Sequence, residues 1–116
     1  MKTKLNMLIL ISLAIFFVAQ MIAWVQINGQ FVWPWMKDYK FLISLSGVPI
    51  SYLLMVATDY AYEGMNGKIW PGRLMAFAVG ILVFTVLTNV LLGEGIDTKV
   101  CVSLILASML LLIQIL

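Results

Sequence analysis

The stretch MLILISLAIFFVAQMIAWV, Met7–Val25, indicates the class of protein, because no charged side chain interrupts it. Its length is close to the roughly 20 apolar residues that a helix needs to cross a bilayer. Lys2 and Lys4 precede it, as a signal peptide would require. However, the run exceeds the usual apolar core of about 7–15 residues, and no small-x-small cleavage site follows. We therefore expect a retained transmembrane helix.

The composition extends this interpretation to the whole chain of 116 residues, which is 64% hydrophobic and 10% charged, with a mean hydropathy of +1.10. A soluble domain of this size could not bury so much apolar surface. Period-two alternation, the mark of barrel strands, is missing from the apolar runs. The sequence predicts an all-α membrane protein, a single domain over residues 1–116. Its four transmembrane helices should form a compact bundle, with spans at about 5–27, 39–58, 72–92 and 98–116.

Several function classes are disfavoured by what the sequence lacks. It contains no histidine and a single cysteine, Cys101, so neither a metal cluster nor an internal disulfide is expected. Without a nucleophile–base pair or a deep carboxylate dyad, we expect no enzymatic activity and no cofactor. The net charge of only +2 argues against nucleic acid as a partner.

The basic residues predict an orientation in an inner or plasma membrane. Cytoplasmic loops carry an excess of Lys and Arg, and this bias sets the topology. With the N-terminus in the cytoplasm, the inner side would carry Lys2, Lys4, Lys68 and Arg73, and the outer side Lys37, Lys40 and Lys99. We therefore expect a cytoplasmic N-terminus. The difference between the sides is small, and insertion in both orientations stays open.

The second apolar run contains Pro49 near its middle. A proline inside a helix cannot donate to the carbonyl four residues earlier, here Leu45, and its ring presses on that carbonyl. One interpretation is a tolerated kink, with serines such as Ser46 satisfying the freed carbonyl. The other is a discontinuous helix whose free backbone groups face a ligand.

The segment ATDYAYEGMNGKIWPGR, Ala57–Arg73, concentrates charge between two apolar runs. Asp59 and Glu63 share one helix face at an electronegative C-terminus, so we expect Lys68 or Arg73 to pair with them. This makes the segment a charge-balanced helical hairpin at the membrane surface. The alternative is a polar vestibule in which Asp59 contacts a ligand or a proton.

The third run combines a stripe of small residues with a polar side. Gly72, Ala76 and Gly80 have the spacing that allows close approach of membrane helices, so they predict packing or assembly, which Gly80→Leu should disrupt. Thr85, Thr88 and Asn89 fall on the opposite side at 100° per residue. After the run, Asp97 is placed to cap the last helix.

Short motifs resemble the small multidrug resistance transporters of the drug/metabolite transporter superfamily, and related uncharacterised four-helix proteins. They are AVGILVFTVLTNVLLGEGID (Ala78–Asp97), FVAQMIA (Phe17–Ala23), Ala23-Trp24, AYEG (Ala61–Gly64) and LLGE (Leu91–Glu94). The resemblance implies four helices, a dimer and transport. It places Gln20 where those transporters have a proton-coupling glutamate, and Ala76 where they have a tryptophan.

Two hypotheses follow for a protein whose partner is the lipid bilayer. The first is a transporter-like protein, a homodimer, with a neutral polar intramembrane pocket whose candidate ligand-binding residues are Gln20, Trp24, Ser46, Pro49 and Asp59. The second is a non-transporting accessory or assembly subunit of a larger membrane complex. It predicts that the Gln20 side chain has no access to water and that a partner chain packs on the stripe at Gly72, Ala76 and Gly80. A buried, ionisable coupling group is absent from every predicted span, which argues against proton antiport.

Overall fold

A computed structural model describes residues 2–115, and every regular element in that range is helical. The predicted all-helical class is confirmed, but the chain forms five α-helices rather than four. They are α1 (Lys2–Asn28), α2 (Lys40–Ser44), α3 (Gly47–Gly64), α4 (Trp70–Leu87) and α5 (Thr98–Ile115). Two 3-10 turns, Gly29–Phe31 and Pro34–Tyr39, join α1 to α2, and a π-helical turn, Thr88–Leu92, extends α4.

Two helical segments, Thr3–Phe31 and Trp70–Leu92, are long and apolar enough to cross a membrane. A third candidate span arises if Pro34–Ser44 and Gly47–Gly64, which meet at a bend of 64°, are counted together. The apolar part of α5, Thr98–Gln114, is shorter. These segments indicate a membrane localisation with lipid contact, and they are two or three candidates where the sequence predicted four.

The helices pack around α1, which contacts both α3 and α4, while α5 packs on α4. α3 runs antiparallel to α1, since Gly64 lies beside Ile9 and Gly47 beside Gln26. α4 runs in the same direction as α1, because Gly80 lies beside Gln20 and Thr88, further along α4, bonds Trp24, further along α1. The C-terminal ends of α1 and α4 therefore lie at the same end of the molecule as the α2–α3 break.

A closed half of the molecule surrounds Ser12, Phe16, Ala57, Ala61 and Met75, all at most 1% exposed. Small residues on α3 allow α1 to come close, and the Ser12 hydroxyl donates to the carbonyl of Ile9 at 2.7 Å within its own helix. Dispersion contacts in such a tightly packed region replace the hydrophobic driving force that water would supply. The hydrophobic core of the described residues therefore lies toward the start of α1.

The predicted second span is discontinuous, with the break at Leu45 and Ser46 and Pro49 as the third residue of α3. The proline sits where a helix N–H has no intrahelical partner, so its missing donor removes no bond there. Across the break, the Leu45 carbonyl accepts from Val48 N–H at 3.2 Å. The proline ring prevents a regular turn at Leu45. The structure therefore combines the break of the discontinuous interpretation with the carbonyls satisfied by neighbours that the kink interpretation expected.

Side chains of the protein itself satisfy the other carbonyls at this break. Gln26 Nε2 lies 3.4 Å from the carbonyl oxygens of both Ile43 and Ser44, and the Ser46 hydroxyl donates to Ile43 at 2.6 Å. An unpaired backbone group in a membrane costs several kcal/mol. Gln26 is therefore a structural residue that stabilises the bend from the neighbouring helix.

The hairpin between α3 and α4 turns at Asn66 and Gly67, with φ of 58° and 79°. Asp59 and Glu63 are exposed on α3, away from α1. From Lys4 to Lys99, the described acidic and basic side chains form no ion pair within 4.0 Å, so the predicted pairing with Lys68 or Arg73 is absent as a direct contact. The physical reason is that Coulomb attraction between exposed groups barely offsets the entropy of fixing two side chains.

Candidate functional site

A cavity of about 190 Å³ lies between the second half of α1 and the middle of α4. Its lining residues come from both helices: Gln20, Ala23, Trp24, Ile27, Asn28, Gly80 and Phe84. Gly80 makes room for the amide, because a Cβ at this position would lie 3.1 Å from Gln20 Cδ and 3.2 Å from both Nε2 and Oε1. The small residue on α4 is thus matched to the amide on α1.

The Gln20 side chain is half-buried, and its amide makes no hydrogen bond to another group within residues 2–115. In the same range, no fully buried side-chain polar atom lacks a partner. The Gln20 amide is therefore accessible from the cavity. Its carbonyl oxygen can accept and its NH₂ can donate two hydrogen bonds.

Trp24, one turn along α1, forms a fixed wall of this cavity. It is 3% exposed, and its indole N–H donates to the Thr88 hydroxyl at 3.0 Å, a bond between residues 64 positions apart. A buried indole N–H needs such a partner. Thr88 also begins the π-helical turn, a type of irregularity that is frequent at functional sites.

The position of Thr88 corrects the predicted division of α4 into a small side and a polar side. Both Gly80 and Thr88 face α1, through Gln20 and Trp24. At 100° per residue, eight positions bring Thr88 to about 80° from Gly80, so even a straight helix does not place the two on opposite sides.

A second cavity, of about 320 Å³, lies between the C-terminal end of α4 and the start of α5. Its lining is more polar and includes two charges: Phe84, Thr85, Thr88, Asn89, Glu94, Gly95, Ile96, Lys99, Val100 and Ser103. Phe84 borders both cavities. The predicted cap at Asp97 is confirmed, since its Oδ1 accepts from the Val100 N–H at 2.9 Å and fixes the start of α5.

The five predicted ligand-binding residues do not form one site. Gln20 and Trp24 line the same cavity, whereas Ser46 lines a separate one on the far side of Gln26. Pro49 is exposed on α3. Asp59 is exposed in an open crevice of α3, in the half of the molecule opposite to Gln20.

The stripe of small residues on α4 is used inside the chain. A Cβ on Gly72 would lie 3.1 Å from the Ala61 Cβ of α3, and Gly80 adjoins Gln20. Ala76, between them, is half-buried. The stripe therefore contributes to packing within the chain.

Two functional candidates, Thr88 and Phe84, were missed by reasoning from the sequence. A signal for both exists in the spacing: Gly80, Phe84 and Thr88 recur every four residues on α4, as Gln20 and Trp24 do on α1. Two parallel helices with matching four-residue rows can align them. We call the region around Gln20, Trp24, Gln26 and Thr88 the polar half.

Comparisons of the chain with protein-family models, with curated proteins and with solved structures found no match. The resemblance to small multidrug resistance transporters accordingly depends on the short motifs alone.

Proposed function

We propose that the protein binds a small neutral solute at Gln20 and carries it across the membrane without proton coupling at this site. The observation that supports this proposal is the Gln20 amide, free of hydrogen bonds to the described chain, in a cavity of about 190 Å³. An interhelical hydrogen bond from Gln20 would have indicated a packing role instead. The amide is left to recognise a ligand.

The solute is neutral and carries hydrogen-bonding groups, because the cavity itself is neutral. None of its lining residues is ionisable. Transferring an unpaired ion into such a site is far more costly than transferring a polar group that can be hydrogen-bonded. Glutamine does not exchange protons, so the coupling step that the resembling transporters perform with glutamate has no counterpart at Gln20.

The second cavity provides the route between this site and the surface. It adjoins the first at Phe84, whose side chain is 50% exposed, and it reaches the exposed residues Glu94 and Lys99. In this proposal a solute enters beside Glu94 and Lys99 and passes the Phe84 ring before it contacts Gln20.

The same proposal includes four crossings of an inner or plasma membrane, counting the bent α2–α3 pair as one and α5 as another. The N-terminus is cytoplasmic, and the functional unit is a homodimer. Within α5, the side chain of Ala107 is buried while most others stay exposed or half-buried. That helix thus offers apolar surface to lipid or to a second copy.

The rival accessory-subunit hypothesis requires a partner chain on the stripe and a dry Gln20. Gly72 and Gly80 already contact Ala61 and Gln20 of the same chain. These contacts and the accessible amide favour the transporter proposal over its rival.

Reconstituted vesicles test the proposal. Uptake of a panel of small neutral solutes is measured with and without a pH gradient, for the native protein, Gln20→Leu, Gln20→Glu and the control Gln114→Leu. Gln114 is also half-buried but lies on α5, outside the Gln20 cavity. We expect native uptake that is independent of the gradient, loss in Gln20→Leu, retention in Gln114→Leu, and a new gradient dependence in Gln20→Glu.

Gradient-driven uptake that survives Gln20→Leu would overturn the uncoupled site. Absence of uptake in every variant, with only the stability of Gln20→Leu changed, would favour the accessory subunit.

A further inference from the structure

A third region of the polar half holds two adjoining cavities that the proposed transport route does not use. One of them, which we call the polar chamber, has a volume of about 320 Å³ and lies between the end of α1 and α2. Four of its seven lining residues carry polar side chains: Gln26, Gln30, Lys40 and Ser44, beside Ile27, Met36 and Ile43. The Gln30 Nε2 donates to the Ile27 carbonyl at 3.0 Å, which leaves its second N–H available for a ligand.

The other, the apolar chamber, has a volume of about 450 Å³. It adjoins the polar chamber and is almost entirely apolar. Gln26, Met36 and Ile43 line both cavities, so the two adjoin at these side chains. The remaining lining of the apolar chamber is Met21, Ile22, Val25, Ser46 and Leu87. The Ser46 hydroxyl is already bonded to Ile43, so this chamber offers apolar contact.

Lys40 is the charged residue among those lining the two cavities, and it is located at the polar one. Its neighbours on the same segment are arranged differently. The Lys37 ammonium lies 5.7 Å from the centre of the Phe31 ring, and Asp38 is exposed outside both linings. The polar chamber therefore presents a positive charge from Lys40 together with the amide of Gln30.

The surroundings place this charge at the depth of lipid headgroups. Trp35 and Tyr39 are 59% and 51% exposed, and their rings meet edge to face at 6.2 Å. Exposed Trp and Tyr at the end of a membrane helix mark the interface between hydrocarbon and water. The bend of 64° turns the segment Pro34–Ser44 away from the axis of α3 at this level.

We propose that these two chambers hold one phospholipid with an anionic headgroup. Its phosphate contacts the Lys40 ammonium and the free N–H of Gln30, and an acyl chain occupies the apolar chamber between Val25 and Leu87. Basic pockets between membrane helices bind anionic headgroups, and with the N-terminus in the cytoplasm this pocket would lie in the outer leaflet. The ligand is a lipid rather than free phosphate, because an apolar chamber adjoins the polar one.

Native mass spectrometry of the intact protein in neutral detergent tests the headgroup. Phosphatidylglycerol and phosphatidylcholine with identical acyl chains are titrated against the native protein, Lys40→Gln and the control Lys37→Gln. We expect phosphatidylglycerol to bind more tightly than phosphatidylcholine by about fivefold, the effect of one basic residue near a membrane surface. Lys40→Gln should abolish this preference and Lys37→Gln should keep it. Equal binding of the two lipids, or equal losses in the two variants, would overturn the proposal.

A second pair of variants tests the acyl chamber. Val25→Trp fills it, whereas Val18→Trp places the same ring on an exposed position of α1 outside the lining. We expect weaker phosphatidylglycerol binding in Val25→Trp alone. Glycerol phosphate, which lacks acyl chains, should compete poorly with the lipid. Effective competition by glycerol phosphate, with Val25→Trp binding like the native protein, would show an anion site without a lipid chain and overturn the proposal.

Discussion

The closed half and the polar half share α1 and α4, but in the closed half α3 also packs closely against α1. In the closed half, the α1 residues Ser12 and Phe16 are buried against small or apolar neighbours on α3 and α4. In the polar half, α1 presents Gln20 and Trp24 to α4, and cavities remain between the helices. Close packing of small residues excludes solutes, whereas amide, indole and hydroxyl groups leave space that a ligand can enter.

Two glycines show the physical difference between the halves. A Cβ on Gly64 would lie 3.3 Å from the backbone N of Ile9 and from the backbone O of Leu5, and 2.9 Å from Ile9 Cγ1. The three atoms nearest to a Cβ on Gly80 all belong to the end of the Gln20 side chain. Backbone atoms inside a helix cannot move aside without breaking hydrogen bonds, while an amide group can rotate away. The closed half should therefore tolerate added volume much less.

The largest expected effect comes from Gly64→Leu. The added side chain would push the α1 backbone away from α3, so we expect a loss of stability of about 3 kcal/mol, at the upper end for overpacking. Thermal unfolding in detergent measures it. Gly95→Leu is the matched control, because no atom lies within 4 Å of a Cβ built there. Equal melting temperatures for the two variants would show that the closed half is no tighter than the surface.

Gly80→Leu should have an intermediate effect on stability and a strong effect on the cavity. The leucine fills the space beside Gln20 and displaces the amide, at a cost of about 1–2 kcal/mol. The variant should still fold but lose solute uptake. We expect a near-native melting temperature together with no uptake in vesicles. A stability loss as large as that of Gly64→Leu would remove the distinction between the halves.

Trp24→Phe and Thr88→Val test the hydrogen bond between the Trp24 indole and the Thr88 hydroxyl in the polar half. Each substitution removes one partner of the 3.0 Å hydrogen bond, and we expect each to cost about 1 kcal/mol. The double variant should cost less than the sum, because both changes remove the same bond. Additive losses in thermal unfolding would indicate that the indole N–H and the hydroxyl contribute independently.

The smallest effect is expected for Asp59→Asn, which lies on the exposed side of the closed half. Asp59 forms no ion pair with a described basic residue within 4.0 Å, so removing its charge should change stability by no more than about 0.5 kcal/mol. The same should hold for Glu63→Gln. A melting temperature several degrees lower in either variant would reveal an interaction that the contacts do not include.

Several local features were predictable because short-range chemistry determines them. The position of Pro49 implied disruption at Leu45, and the break falls there. Asn66 and Gly67 adopt the positive φ values that favour a tight reversal. Asp97 caps α5 through its side chain. Each depends on residues within a few positions of one another, so the sequence carries the information directly.

The candidate site was predictable only in part. Gln20 and Trp24 are one turn apart on α1, and any helix places them together. Ser46 was a candidate because it lies at the Pro49 break, and Asp59 because it is an acidic residue at the end of an apolar run, but the structure separates both from Gln20. Gln26 resembled any other polar residue of α1, and its role at the break depends on α2 being adjacent.

Composition and periodicity by themselves determined that this is a helical protein with apolar segments suited to a membrane, because burial of apolar side chains and backbone pairing in lipid allow little else. Only the tertiary structure decided which faces meet. The Trp24–Thr88 bond joins residues 64 positions apart, and the Ala61–Gly72 contact sets α4 against α3. Such contacts depend on how helices cross and on where each helix breaks. A small shift in either changes which side chains face one another, and the sequence pattern of one helix does not specify its partner.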